Sequence, residues 1–295
     1  MSLIDISIVI ASIESERRIR ECLESVLRSA SGKSAEVIVV DASTDRTAEI
    51  VRSEWPSVTL ITLPIGALAP HLWARGIIEA KGSVIAFTTG HFVVPPTWLT
   101  DLYGELDHGV AGAGGTFELG NGASLTDAAI FFLRYSGFLP NAATSGCDVR
   151  EIAADNSIYQ RSALVQNLEY GFWEVELHHL LREQGARLTM VSPPTIVFEK
   201  SFPLSVISRH RFAHGKHFGR WRVATGSSAL RMVAVSPLVP FLLFFRATQR
   251  ASAARANVVA LFKSSPIFLL LAACWAFGEA VGALGSRRIT DAHRN

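Results

Sequence analysis

Few of the features that mark a nucleic-acid binder occur in this sequence. It has no basic low-complexity arm and no zinc-finger spacing, and 28 lysines and arginines are nearly balanced by 26 acids, for a net charge of +2. No nucleic-acid partner is expected from such a chain. Cysteine is scarce too. Cys22, Cys147 and Cys274 are far apart and odd in number, which fits buried free thiols in a reducing compartment better than a disulfide framework. Met1-Ser2-Leu3-Ile4-Asp5 lacks a basic start followed by an apolar core. A signal peptide is therefore not expected, and the N-terminal part should stay in the cytoplasm. There is no internal repeat, and only 18% of residues are charged.

What the sequence does have is apolar residues, unevenly placed. They make up 49% of the 295 residues, and mean hydropathy is +0.28. The length suits one large domain, or one domain plus an appendage. The first two-thirds alternates apolar and charged segments. After Ser227 the chain is mostly apolar, with arginine and lysine between the apolar stretches.

Ile6–Ala11 is a β-branched, nearly all-apolar run, and reads as a strand covered on both faces. Glu14–Leu27 has helical spacing, with Ile19, Cys22, Leu23, Val26 and Leu27 on one face. Strands over 36–40, 58–63 and 83–87 then alternate with helices over 44–51 and 68–80, and a further helix runs through Leu106. This order predicts an α/β fold with a mostly parallel sheet and helices on both faces. Gly112, Gly114 and Gly115 within Ala111–Phe117 permit close backbone approach or a tight bend. Ile152–Tyr159 reads as another strand. Phe172–Gln184 reads as a helix that stops at Gly185. Leu188–Val191 and Thr195–Phe198 read as short strands around Pro193-Pro194.

Ligands of such sheets sit beyond the carboxyl ends of the strands. Those ends are Ala11-Ser12-Ile13-Glu14, Asp41-Ala42-Ser43 and Thr88-Thr89-Gly90-His91, three polar tips on one edge. Ordinary strand-to-helix loops are polar as well, and the residues alone leave both readings open.

Four segments together carry a family resemblance: Ile8-Val9-Ile10, Val39-Val40-Asp41-Ala42-Ser43-Thr44-Asp45-Arg46-Thr47, Lys81-Gly82-Ser83-Val84-Ile85-Ala86-Phe87 and Pro96-Thr97-Trp98-Leu99. In order and spacing, roughly residues 5–200 resemble a family 2 glycosyltransferase of the GT-A fold. The resemblance implies a domain over 1–225, a nucleotide-sugar donor, and Asp41 as a contact to the base or ribose. A carboxylate at a strand tip suits ribose hydroxyls, and it equally suits capping the next helix. The resemblance also makes Glu174 the catalytic base of an inverting transfer, with His178 one turn on to orient it. Acidic residues at a helix start, here Glu174 and Glu176, also answer the helix dipole.

The departures from the family pattern bear on the donor site. The Asp-x-Asp that holds metal and diphosphate aligns with Thr89-Gly90-His91, and the late metal-ligand histidine with Glu199. A swap to His91 plus Glu199 would favour Mn²⁺ over Mg²⁺ as divalent cofactor. Direct hydrogen bonding from His91 to a phosphate is the alternative. Ser12 and Glu14 occupy the first loop, where Ala11 and Glu14 replace the usual Pro and Asn. Trp73-Ala74 replaces the usual Arg-Asn pair, and Arg75 stands nearby in a shifted register. His217-x-x-Arg220-Trp221 is similar to the Gln-x-x-Arg-Trp of processive members, which implies that Arg220 meets the diphosphate and Trp221 the acceptor sugar. The same basic run, Arg209–Arg222, also fits a helix resting on anionic lipid.

The remaining residues, 226–295, read as membrane-attachment helices. Met232–Phe245 is short and interrupted by Pro237 and Pro240. Pro266–Leu284 approaches a membrane span but contains Glu279, which is costly in lipid unless paired. Arg246, Arg250, Arg255, Lys263, Arg287, Arg288 and Arg294 flank the runs. Basic residues on every flank fit helices lying in the cytoplasmic leaflet of the cell membrane. A spanning hairpin and a buried pair in a soluble oligomer are the alternatives. A membrane mode would bring a lipid-linked or glycan acceptor close. Rival functions are a non-catalytic scaffold subunit, motivated by the lost Asp-x-Asp, and a nucleotidyltransferase, whose glycine-rich first loop is not seen in Ile10–Arg20.

Overall fold

The computed structural model describes residues 5–106, 109–140, 147–164, 168, 171–199 and 203–286. Arg287, Arg288 and Arg294 lie outside the described residues. In chain order the first elements are β1 (Ile6–Ser12), α1 (Ile19–Ser29), β2 (Ala35–Asp41), α2 (Thr47–Glu54), β3 (Thr59–Thr62), α3 (Ala69–Glu79), β4 (Val84–Thr89) and α4 (Trp98–Leu106). Then come β5 (Gly112–Leu119), α5 (Leu125–Tyr135), β6 (Cys147–Val149), β7 (Ser157–Gln160), α6 (Glu174–Glu183) and β8 (Leu188–Phe198). Helices α7 (Leu204–Ala224), α8 (Ala229–Val235), α9 (Val239–Ala253), α10 (Val258–Lys263) and α11 (Ser265–Leu284) follow. The chain forms two compact units, Met1–Glu118 with Ala143–Val197, and Leu119–Ala142 with Phe198–Asn295.

An eight-stranded sheet of order β3-β2-β1-β4-β7-β5-β8-β6 is the frame of the first unit. β1 pairs in parallel with β2 and β4, and β2 with β3. β7 is antiparallel to β4 and β5, and β6 to β8. Val9, Val40 and Phe87 point to one face, where Leu72, Trp73 and Ile77 of α3 and Leu177 and Leu181 of α6 cover them. Ile8, Ile10, Val39 and Ala86 alternate with these and are fully buried as well. That double burial explains why the parallel strands are apolar at every position. Gly76 on α3 permits close approach, because a Cβ there would collide with the Val9 side chain.

Four elements differ from the sequence expectation. The strand expected over 152–159 is a 3₁₀ turn, Ala154–Asn156, followed by β7. α1 begins at Ile19, not Glu14, because Glu14 is left-handed (φ 50°) and its side chain bonds to Thr44. The glycine-rich stretch is a strand, β5. A Cβ on Gly112 would meet the Tyr159 ring, and one on Gly114 would meet Ile152 2.6 Å away. The glycines therefore make room for large neighbours within the sheet. Residues 188–198 form one strand that runs through both prolines.

In the second unit α7 and α11 pack closely along their length. Gly215 and Gly219 of α7 face Gly278 and Gly282 of α11. A Cβ on any of the four would strike a backbone carbonyl of the opposite helix. This is small-xxx-small packing on both partners. Within it Glu279 is 3% exposed and accepts a hydrogen bond from Arg222 Nη1 at 2.8 Å, so the acid in the apolar run has its partner. Among the described residues two helical stretches, Ala229–Ala253 (α8, a 3₁₀ turn and α9) and Ser265–Leu284, are long and apolar enough to cross a membrane.

Candidate active site

All three polar tips lie on the edge where β1, β2 and β4 end. Register places Ser12 opposite Asp41 and Ala11 opposite Thr89. Asp41 is 2% exposed, and its carboxylate accepts Ser43 Oγ at 2.6 Å and Ser43 N at 3.2 Å. This closes an Asx turn at the tip of β2. Glu14 reaches across from the first loop. Its N–H donates to Ser43 Oγ (2.8 Å), and its Oε1 accepts Thr44 N (2.7 Å) and Thr44 Oγ1 (2.8 Å). Below it Ser15 N donates to Thr47 Oγ1 and Glu16 N to Asp45 Oδ2, both at 3.0 Å. The two loops are thus cross-linked by side chains, and the edge is held before any ligand arrives.

His91 stands at the third tip and is largely buried. Ser15 Oγ lies 3.2 Å from its Nδ1 and 3.3 Å from its Nε2. Gly90 sits against Ser12 and Ser15, whose hydroxyl oxygens lie 3.0 and 2.8 Å from where a Cβ would be. Ser12 Oγ and Thr88 Oγ1 are buried with no hydrogen-bond partner among the described residues. Trp73 Nε1 donates to Thr88 O at 3.2 Å and Cys22 Sγ to Thr89 O at 3.4 Å, so helices on both sides of β4 hold its tip. Cys22 and Cys274 are free thiols, the first buried. Arg75 pairs with Glu79 one turn along α3, at 2.6 Å.

Glu174 is the first residue of α6, and its Oε2 accepts the Ala154 N–H at 3.0 Å. Ala154 opens a short 3₁₀ turn, Ala154–Asn156, directly before β7. Because Ser157 pairs antiparallel with Phe87, this turn runs past the end of β4. Glu174 is thereby anchored on the same edge as Asp41 and His91. His178 has gone another way. It is fully buried, and its Nε2 is hydrogen-bonded to Tyr159 Oη at 2.8 Å. Burial, helped by the charge of Arg182, pushes its pKa down to about 3, so the ring is neutral. Burial also raises the Tyr159 phenol well above its ordinary value, and the Glu174 charge adds to this.

Sequence reasoning missed Ser15, Ser43 and Thr44. The Asp-x-Ser and Asp-x-Thr spacings of Asp41-Ala42-Ser43 and Asp45-Arg46-Thr47 were the available signal, since both make local turns.

Glu199, Arg220 and Trp221 belong to the second unit. Glu199 Oε1 accepts Gly122 N at 3.3 Å. The Trp221 ring lies against Phe218, 5.5 Å between centroids. Their expected donor and metal roles rest on the family resemblance. Among the described residues no three His, Cys, Asp or Glu side chains stand together as a metal-binding group. A divalent ion at the strand tip would find one imidazole there, that of His91. It would have to take its other ligands from oxygens of a bound substrate.

The model of the family described as Glycosyl transferase family 2 matches residues 7–167. No curated protein matches the chain by sequence. Among solved structures it is similar to the mannosyltransferase PcManGT from Pyrobaculum calidifontis in complex with GDP-Man and Mn²⁺. The TM-score is 0.56 at 15% identity, over 95% of this chain and 87% of that one. It is also similar to S. aureus TarS 1-349 in complex with UDP-GlcNAc, with a TM-score of 0.53 at 16% identity, over 96% and 92%. Against a longer S. aureus TarS chain the TM-score is 0.51 at 18% identity, over 70% of this chain and 39% of that one. This chain thus spans well under half the length of that relative. These likenesses show the GT-A fold.

Proposed function

The chain belongs to glycosyl transferase family 2, and from that premise we propose that it moves a sugar from a nucleoside diphosphate donor to a lipid-linked or glycan acceptor, with inversion. The observation that carries this reading is the shared edge of Asp41, His91 and Glu174. In the transfer, the Glu174 carboxylate takes the proton of the acceptor hydroxyl. The freed oxygen attacks the anomeric carbon, and the bond from that carbon to the diphosphate breaks. The nucleoside diphosphate leaves with the electron pair. The Ala154 N–H orients the carboxylate, as a base within reach of one hydroxyl requires. Asp41 accepts hydrogen bonds from the nucleoside, and Ser12 donates to the diphosphate. A divalent ion, Mn²⁺ over Mg²⁺, would be held by His91 together with the diphosphate oxygens and would offset the charge on the leaving group. His178 acts as a positioning residue only, by fixing α6 on Tyr159.

Membrane attachment through the residues after 225, on the cytoplasmic face, completes the reading. Between positions 204 and 286 Glu279 is the only acid, against ten lysines and arginines. Leu230, Leu238, Phe241, Phe245 and Phe262 are exposed on the same unit. Cationic and apolar exposure together suit an anionic bilayer. A thermal-shift screen of the full chain against UDP-, GDP- and dTDP-sugars, with and without Mn²⁺, tests the donor reading. One nucleotide should raise the melting temperature, with a further rise on adding Mn²⁺. No shift with any nucleotide would favour a scaffold role.

A further inference from the structure

Two ring side chains stand beside the proposed base, and the transfer chemistry leaves them unused. Trp173 is the residue before Glu174 and occupies the N-cap position of α6. His71 lies in the first turn of α3. Their rings meet edge to face, with centroids 6.0 Å apart and planes at 89°. His71 is exposed and Trp173 half-buried. Both belong to the first unit.

The backbone sets this pair at the edge where the polar tips lie. β3 ends level with Asp41, because Thr62 pairs with Asp41, and α3 starts from the loop that follows. Phe172 N donates to Pro70 O at 2.8 Å, which ties the lead-in of α6 to the first turn of α3. Phe172 itself enters the core and stacks on Phe87 of β4, 5.0 Å between centroids, so the chain is anchored one residue before Trp173. Gly171, at φ 109°, lets the chain pass close to both rings. A Cβ there would lie 3.0 Å from Trp173 Nε1 and 3.2 Å from His71 Cδ2. His71 Nδ1 accepts the Leu68 N–H at 3.1 Å, so this ring is oriented before any ligand arrives. These restraints keep two rings at the surface, although burying an aromatic ring is what stabilises a fold.

Rings in this position suit one kind of ligand. An aromatic face carries partial negative charge. The C–H groups on one face of a pyranose are apolar and carry partial positive charge, so the two faces complement each other. Glu174, the next residue, takes the proton of the acceptor hydroxyl in the proposed transfer. The group beside Trp173 is then the one that carries this hydroxyl. We infer that Trp173, backed by His71, binds the pyranose ring of the acceptor, so that the reacting hydroxyl belongs to a sugar and not to a bare lipid phosphate or alcohol. The word acceptor rests on the transfer reading, and the ring contact rests on the pair alone.

The test uses the full chain in detergent micelles, grown with fluorotryptophan and observed by fluorine NMR. The Trp173→Phe spectrum assigns the Trp173 resonance. Methyl glucosides, galactosides, mannosides and N-acetylglucosaminides are titrated in with a nucleoside diphosphate present. At least one pyranoside should move the Trp173 resonance to saturation, and UDP, GDP or dTDP alone should not. With that pyranoside as acceptor, Trp173→Leu should raise KM about tenfold at unchanged kcat and melting temperature, while Trp173→Phe, which keeps a flat ring, should stay within about threefold. A resonance that no pyranoside moves would overturn the inference. So would movement by a nucleoside diphosphate alone, which marks a nucleobase contact, or by nucleotide sugars only, which marks the donor ring. A fall in kcat at unchanged KM for Trp173→Leu would make the ring a support for Glu174 and overturn it as well. Movement by a pyranoside with no sugar transfer in the same preparation would support the ring contact and count against the transferase reading alone.

Discussion

The Glu174 carboxylate accepts the Ala154 N–H at 3.0 Å, and this bond ties the start of α6 to the turn that runs past the tip of β4. Ala154 is fully buried, so its N–H has no water to fall back on. Glu174→Ala should then destabilise the fold by about 1–3 kcal/mol, the cost of a buried donor left unpaired. Glu174→Gln keeps an oxygen in place and should cost far less. Urea denaturation of the two variants beside the native chain checks the difference, and equal stabilities would show that the bond holds nothing.

His178 gives a pH signature. Its pKa is about 3 in the folded chain and about 6.5 when unfolded. Between those values the unfolded chain binds the extra proton, so this group's contribution to stability is complete above about pH 6.5 and falls away as pH drops toward 3. From pH 7 to pH 5 the native protein should lose about 2 kcal/mol more than His178→Gln. Denaturation at the two pH values measures it. Parallel losses would place His178 in contact with water.

The α7–α11 contact makes a prediction of sign. Glycine in a helix interior is usually improved by alanine, by about 1 kcal/mol. Gly104 of α4 has open space around its missing Cβ, and Gly104→Ala should follow that rule. Gly219→Ala should do the opposite, because the new methyl meets the Glu279 carbonyl. Overpacking of this kind costs about 1–3 kcal/mol. Melting temperatures of the two variants should move in opposite directions; a rise in both would mean that the helices are not in backbone contact.

Much of the frame was legible in the sequence because a strand buried on both faces has to be apolar throughout. Ile6–Ala11, Val37–Val40 and Val84–Phe87 advertise themselves in this way. Asp41 and His91 were legible as polar types at strand tips, and Glu174 only through the family resemblance. What joins them was not. Glu14 reads as the first residue of a helix until its bonds to Thr44, thirty positions on, are seen. Gly112 and Gly114 read as a bend or a close approach because the side chains that fill their space, Tyr159 and Ile152, arrive from distant sequence. Glu279 was an unpaired acid in an apolar run until α7 brought Arg222 to it across 57 positions. His178 lies one turn from Glu174 in sequence, yet burial against Tyr159 decided where its hydrogen bond goes.

The most direct test of the proposed chemistry is steady-state sugar transfer by Glu174→Gln, with the donor that the thermal-shift screen selects. The account predicts a fall in kcat of about 10²–10⁴-fold, the range for losing a general base, at unchanged donor affinity and melting temperature. Turnover close to that of the native protein would contradict it and remove Glu174 from the reaction.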